Sequence, residues 1–215
     1  MDEYARIAPL YDFCTAPFLN SIRRDIQRAV QARKFSRLLE VGCGTGRQLS
    51  LLSKLGIDLT GVDVSPAMIR KAKRQTPKSV TLLVQDASEL PFSAGSFDCV
   101  LLSLILHEMN DATRLKVLTD CRRVLDKSGE ALVLEYLIPS SLPARASMIP
   151  IHAIERMAGK RHYANFIGFL KSGALNKFLQ QTGFSISLQK QFFWGTIGLV
   201  SGRPVQSAPN HQEDE

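Results

Sequence analysis

Four cysteines and four histidines are all that 215 residues offer to a soft metal or a redox couple. Cys14, Cys43, Cys99 and Cys121 contain no C-x-x-C pair and keep no zinc-type spacing with the histidines. Neither a disulfide framework nor a metal site is therefore read from the sequence. Cys99 and Cys121 sit in apolar stretches and suit packing as small hydrophobes. No run approaches the ~18 consecutive apolar residues of a membrane span. The start, Met1-Asp2-Glu3-Tyr4, is acidic and has no apolar h-region, which argues against a secretory signal and makes a cytoplasmic location the expectation. With 45% apolar and 22% charged residues, disordered and collagen-like classes are excluded too. What is left is one ordinary globular domain, expected over residues 1–203.

Charge is the next bound. Lys and Arg number 27 against 20 Asp and Glu, a net charge of +7. The cations gather in Arg23, Arg24, Arg28, Arg33, Lys34 and Arg37, and again in Arg70, Lys71, Lys73, Arg74 and Lys78. Solvated faces of surface helices are the favoured reading, ahead of a surface for nucleic acid, anionic headgroups or an acidic substrate.

Short apolar runs alternate with helical periods. Arg37–Val41 reads as a strand ended by a glycine loop, and Leu49, Leu52 and Leu55 as a helix stopped by Gly56. Residues 57–62 give a second strand. Ser65-Pro66 then supplies an N-cap and a first-turn proline for a basic helix that Thr76-Pro77 halts. Residues 80–84 form a third strand, and residues 97–106 contain a fourth. Asp111 is the expected cap of a helix closed by Ser128-Gly129, before a fifth, nearly continuously apolar strand over residues 131–137. Alternating strands and helices imply βαβ units and a largely parallel sheet with helices on both faces. Met148, Ile151, Ile154 and Met157 make an apolar stripe, read as core ahead of a pocket lining. A helix around Leu175, Phe178 and Leu179 and two last strands complete the domain, and a disordered tail is expected over 204–215.

The sharpest feature is Glu40-Val41-Gly42-Cys43-Gly44-Thr45-Gly46, between the first strand and the first helix after it. The spacing is G-x-G-x-G. A dinucleotide fingerprint needs glycine where Arg47 stands, and no Gly-Lys-Ser/Thr follows, so nicotinamide and nucleoside triphosphate readings both weaken. Bare amides at a helix start favour a negative group. Glu40 suits a cationic amine, and an amino acid carries both. Asp63, 21 residues after Gly42, is placed to accept from two ribose hydroxyls. Asp86 can accept from an exocyclic adenine amine, and Met68 offers an apolar face to a purine. Together these groups describe S-adenosylmethionine.

On these residues the sequence resembles a class I S-adenosylmethionine-dependent methyltransferase over roughly residues 35–137. Glu40–Gly46 resembles the first motif, Gly61-Val62-Asp63-Val64-Ser65 the ribose motif, and Gln85-Asp86-Ala87 through Leu90-Pro91-Phe92 the adenine motif. Phe97-Asp98 through Leu106-His107-Glu108 is similar to the fourth-strand motif. The resemblance implies a three-layer Rossmann-like, doubly wound α/β fold with a seven-stranded sheet whose last strand is antiparallel. It also implies cofactor contacts at Tyr11, Glu40, Gly42, Cys43, Gly44, Gly46, Asp63, Val64, Met68, Asp86, Ala87 and Ser103. Residues 1–34 would be helices that cover the cofactor, with Tyr4 and Tyr11-Asp12 as their aromatic segment. Within the class, Arg123-Val124-Leu125, Leu134-Glu135-Tyr136 and Thr182-Gly183-Phe184 are similar to the ubiquinone/menaquinone-biosynthesis methyltransferases, whose His-Arg-x-Trp element this chain lacks.

The expected activity is methyl transfer to a small or lipid-like acceptor, such as a quinol or phenol, by in-line displacement. His107 is the leading general-base candidate, ahead of Tyr136, His152, His162 and Tyr163. Residues 139–175 would be the acceptor lid, cationic through Arg145, Arg156, Lys160 and Arg161 and compatible with peripheral membrane contact. Two rivals stay open: a non-catalytic cofactor-binding sensor or partner subunit, and a nucleic-acid methyltransferase. The second lacks an Asn/Asp-Pro-Pro-aromatic element after the fourth strand and any appended binding module. Oligomeric state is not legible.

Overall fold

A computed structural model describes residues 8–205, with side chains from Leu19 onward. Its frame is a seven-stranded sheet: β1 (Arg37–Val41), β2 (Asp58–Asp63), β3 (Thr81–Val84), β4 (Phe97–Ser103), β5 (Leu125–Tyr136), β6 (Phe184–Phe192) and β7 (Ile197–Pro204). The spatial order is β3-β2-β1-β4-β5-β7-β6. Only β7 runs antiparallel to its neighbours, pairing with β5 on one side and β6 on the other. The expected three-layer, doubly wound architecture is the one observed.

The middle of the sheet follows from residue type. Leu38, Leu39 and Val41 of β1, residues 99–102 of β4 and residues 131–134 of β5 are essentially inaccessible, as strands covered by helices on both faces must be. From β1 the chain winds outward through β2 and β3, then returns to β4 on the other side of β1. The connections diverge there and leave a crevice at the carboxyl ends of the strands.

Among the described residues, seven α-helices clothe the sheet: α1 (Ala8–Arg33), α2 (Arg47–Leu52), α3 (Pro66–Gln75), α4 (Asp111–Val124), α5 (Leu142–Met157), α6 (Lys160–Lys171) and α7 (Ala174–Gln181). Ser65 caps α3 by accepting from the Met68 amide, with Pro66 in the first turn. The cap of α4 is Asn110, whose side chain accepts from the Thr113 amide; Asp111, expected there, lies one residue inside. That helix also ends earlier than expected. It passes at Val124 directly into β5, and Ser128-Gly129 falls within a bulge of that strand. Asp126 organises the bulge by accepting from the Ser128 amide and hydroxyl.

Two further expectations need correction. The stripe on α5 is not one core face: Met148 is buried, whereas Ile154 and Met157 are 61% and 86% exposed. Pro204 and Val205 belong to the fold and not to the expected tail, because Pro204 pairs with Phe184 and the Val205 amide donates to the Gly183 carbonyl. Residues 206–215, and the side chain of Tyr11, lie outside the described residues.

Gly61 sets how closely α2 approaches β2. A Cβ there would lie 2.5 Å from Leu49 Cδ1 and 2.9 Å from Cys43 Sγ. Gly61→Ala is therefore expected to destabilise the fold by about 1–3 kcal/mol through overpacking, read by denaturant unfolding. Unchanged stability would show that the layer has slack.

Candidate active site

The loop between β1 and α2 is built by backbone geometry. Gly42 has φ +68, and a Cβ on it would come within 2.6 Å of Ile105 Cγ2, so both conformation and space select glycine. The Cys43 amide donates to the Val62 carbonyl at 3.0 Å, and the Gly44 amide to Asp63 Oδ2 at 2.8 Å. The other carboxylate oxygen of Asp63 accepts from the Ser65 amide at 2.9 Å. One side chain thus ties the glycine loop, the tip of β2 and the cap of α3 together. Asp86, just beyond β3, accepts from the amide and hydroxyl of Ser88, both at 2.8 Å.

A cleft of about 270 Å³ opens along this edge. Asp63, Val64 and Met68 form one wall, Asp86 and Ala87 another, and Ser103–Ile105 with Glu108 the far side. A second depression, sharing Gly42, Gly44 and Ser103, runs under the loop to Cys43 and Glu40. Glu40 is 3% exposed, and its Oε2 has no hydrogen-bond partner among the described residues. Burial pushes its carboxyl up to about 8, opposed by Arg23 and reinforced by Asp63. Burial likewise pushes the Cys43 thiol far up, so it remains a thiol. Leu104, at φ +56, turns the chain sharply at the mouth of the cleft.

Behind the cleft lies a buried cluster. His107 follows β4 in the 3-10 turn Leu106–Glu108 and is 3% exposed. Its Nδ1 lies 2.8 Å from Glu135 Oε1, at the end of β5, and its Nε2 lies 3.6 Å from Glu155 Oε2, on α5. Glu135 also accepts from the Leu106 and Tyr136 amides, which fixes its orientation. Glu155 accepts from the Tyr136 hydroxyl at 2.7 Å and meets His162 Nε2, on α6, at 2.5 Å. Burial alone would lower the His107 pKa. Glu135, with Glu155 behind it, outweighs burial and pushes it up to about 10. Burial would raise Glu155, but the nearby His107 ring, with hydrogen bonds from His162 and Tyr136, holds it well below the carboxylate range.

Comparison with known proteins supplies the family. Residues 39–133 match the family described as Methyltransferase domain. The chain is 30% identical over 178 residues to a ubiquinone biosynthesis O-methyltransferase of Xanthomonas campestris pv. campestris, covering 78% of this chain and 73% of that protein. The chain belongs to the class I S-adenosylmethionine-dependent methyltransferases. It is also 33% identical over 123 residues to a demethylmenaquinone methyltransferase of Renibacterium salmoninarum, covering 57% of this chain but only about half (51%) of that one. A solved structure described as a DhpI–SAH complex superposes with a TM-score of 0.69 at 20% identity, covering 95% of this chain and 94% of that chain, which supports the fold.

In this chain the sequence-expected residues Glu40, Gly42, Cys43, Gly44, Asp63, Val64, Met68, Asp86, Ala87 and Ser103 all line one or other of the two adjoining depressions. Gly46 does not line them. It starts α2 and packs against Ala72 and Thr76 of the neighbouring helix. His107 lies behind the cleft, while Glu108 beside it reaches the lining. Sequence reading missed Glu108, Glu135 and Glu155 as site residues. The signal for Glu135 was a single acid in an otherwise apolar strand, and for Glu155 a single acid in a cationic segment.

The His107–Glu135–Glu155 cluster gives the methyltransferase a definite pH signature. A histidine raised from 6.5 to about 10 contributes stability that is complete below ~6.5 and is lost as pH climbs through about 10. Glu155, being lowered, contributes above ~4.5 and loses that contribution as pH falls. His107→Gln is expected to destabilise by about 3–5 kcal/mol and to flatten the alkaline limb in urea unfolding at pH 6 to 10. An unchanged alkaline limb would contradict the assignment.

Proposed function

We propose that the chain transfers the methyl group of S-adenosylmethionine to a small, lipid-like, hydroxylated acceptor of the quinol or phenol class. The observation that carries the cofactor half is that Glu40, Asp63 and Asp86, at the tips of three adjacent strands, line two depressions that share Gly42, Gly44, Ser103 and Leu104. In this reading Asp63 takes the ribose hydroxyls, Asp86 the adenine amine, Met68 the purine face, and Glu40 with the Gly42–Gly44 backbone the amino-acid end. Val64, Ala87 and Ser103 complete the contact surface. The sulfonium is a pre-activated donor with a neutral thioether as leaving group, so positioning in a water-poor crevice supplies much of the acceleration.

His107 serves this reaction as a positioning residue better than as the base expected from sequence. Carboxylates face both ring nitrogens, so the ring already carries its proton at neutral pH. It joins the end of β4 to α5 and α6, the proposed acceptor lid.

The acceptor class draws on the names of the relatives and on the lid's outer surface. Leu142, Ile149 and Met157 of α5 are 80%, 72% and 86% exposed, and Trp194 is 71% exposed. Trp194 lies in the turn Phe193–Gly195, whose Phe193 carbonyl accepts from Ser147 of α5. Arg145, Arg156, Lys160 and Arg161 supply cations on the same segment. An apolar face with cations beside it suits the surface of an anionic bilayer that carries the acceptor. No helix among the described residues is long and apolar enough to cross a membrane.

Three measurements test this reading. By calorimetry, S-adenosylmethionine and S-adenosylhomocysteine should bind and NAD should not, with Asp63→Ala weakening binding about tenfold to a hundredfold. Because Glu40 is largely protonated at pH 7, a cationic amine beside it should expel a proton. Binding at pH 7 should then release a proton and show buffer-dependent heat, both lost in Glu40→Gln. Equal affinity in Asp63→Ala, or no proton release, would count against the assignments. Vesicles with anionic lipid should sediment the protein and neutral vesicles should not, with Trp194→Ser and Ile149→Ser reducing the bound fraction several-fold. A labelled-methyl screen over quinols, phenols, amines and phospholipids separates an enzyme from a sensor, which would bind the cofactor and label nothing.

A further inference from the structure

We infer that His107, Glu108 and His162 form a binding site for a first-row divalent metal ion, with Glu135 and Glu155 as its supporting carboxylates. One ligand atom from each of His107, Glu108 and His162 lies within 4.8 Å of the other two. Ligand atoms around one ion at the ~2.0–2.2 Å bond lengths of zinc sit roughly 3–4 Å apart, so small side-chain adjustments close the set. Two imidazoles and one carboxylate are the donor set preferred by zinc, iron(II) and their neighbours, and a poor one for magnesium or calcium.

The surroundings match what ligating histidines need. Such a histidine nearly always hands its second nitrogen to a carboxylate, which fixes the ring and strengthens the donor. Here His107 Nδ1 is held by Glu135 at 2.8 Å, and His162 Nε2 by Glu155 at 2.5 Å. The His107 Nε2–Glu155 separation, 3.6 Å, is longer than a hydrogen bond. Coordination through His107 displaces the proton that its ring carries in the metal-free chain, as metal binding to a histidine requires. Glu108 also lines the cleft, so the ion would adjoin the cofactor crevice and be reached from it.

This inference does not depend on the methyl-transfer reading, and it is tested by metal binding alone. The untagged full chain, stripped with a chelator, is titrated with Co²⁺ by visible absorption and with Zn²⁺ against a chromophoric chelator. One ion per chain, ligand-field bands of a low-coordinate site and a micromolar or tighter dissociation constant are expected. His162→Ala and Glu108→Gln should each weaken binding at least tenfold. Glu135→Gln, acting through His107, should weaken it ~10–100-fold. His152→Ala should change nothing, because His152 instead faces the Tyr163 hydroxyl. Far-UV circular dichroism and urea unfolding confirm folding of each variant; two of the ligand-site variants suffice if one misfolds. Binding no tighter than millimolar, or equal binding in His162→Ala and Glu108→Gln, would overturn the site.

Discussion

The grip of the Asp63 carboxylate on two backbone amides holds the crevice open. Gly44 belongs to the loop after β1 and Ser65 to the cap of α3, and neither has another covalent reason to lie beside the other. Charge-assisted bonds of this kind are short and about twice as strong as neutral ones. Because Asp63 ends a buried parallel strand, its position is inherited from the sheet and not from the loop. The glycine loop can therefore be bare without being shapeless. Gly61 beneath it lets α2 sit close enough for this to work.

A second buried carboxylate system couples the sheet to the helices beyond it. Glu135 sits where β5 ends and takes amides from the turn after β4 together with the ring of His107. Glu155 reaches in from α5 and gathers Tyr136, His107 and His162. Buried charges are costly unless their partners satisfy them, so α5 and α6 cannot drift from the sheet without exposing that cost. Arg114 pins the same turn from below. Its guanidinium donates to the Leu106 and Met109 carbonyls and lies over the rings of Phe169 and Phe178.

Legibility in the sequence followed the range of the interaction. The bounds of β1, the Ser65-Pro66 start of α3 and the glycine loop are local, and each is set by residues a few positions apart. The seven strands and the single antiparallel one came through resemblance, since no periodicity encodes them, and the strand order emerged only from the structure. Local signals misled where two satisfied the same rule: Asn110 and Asp111 both suit an N-cap, and only backbone placement chose Asn110. Ser128-Gly129 resembled a helix stop but serves a strand bulge. The histidine–carboxylate cluster was hidden because its members lie on separate elements. Glu135 is 28 residues from His107, and His162 lies on a helix beyond the sheet. Spacing rules for metals or bases presume neighbours in sequence.

A crystal structure of the full chain with S-adenosylhomocysteine would examine the arrangement at its root. The expected density places the ribose hydroxyls against Asp63, the adenine amine near Asp86 and the amino group within reach of Glu40. A crevice still without the nucleoside at saturating ligand, or one filled by a diphosphate-bearing molecule, would contradict it.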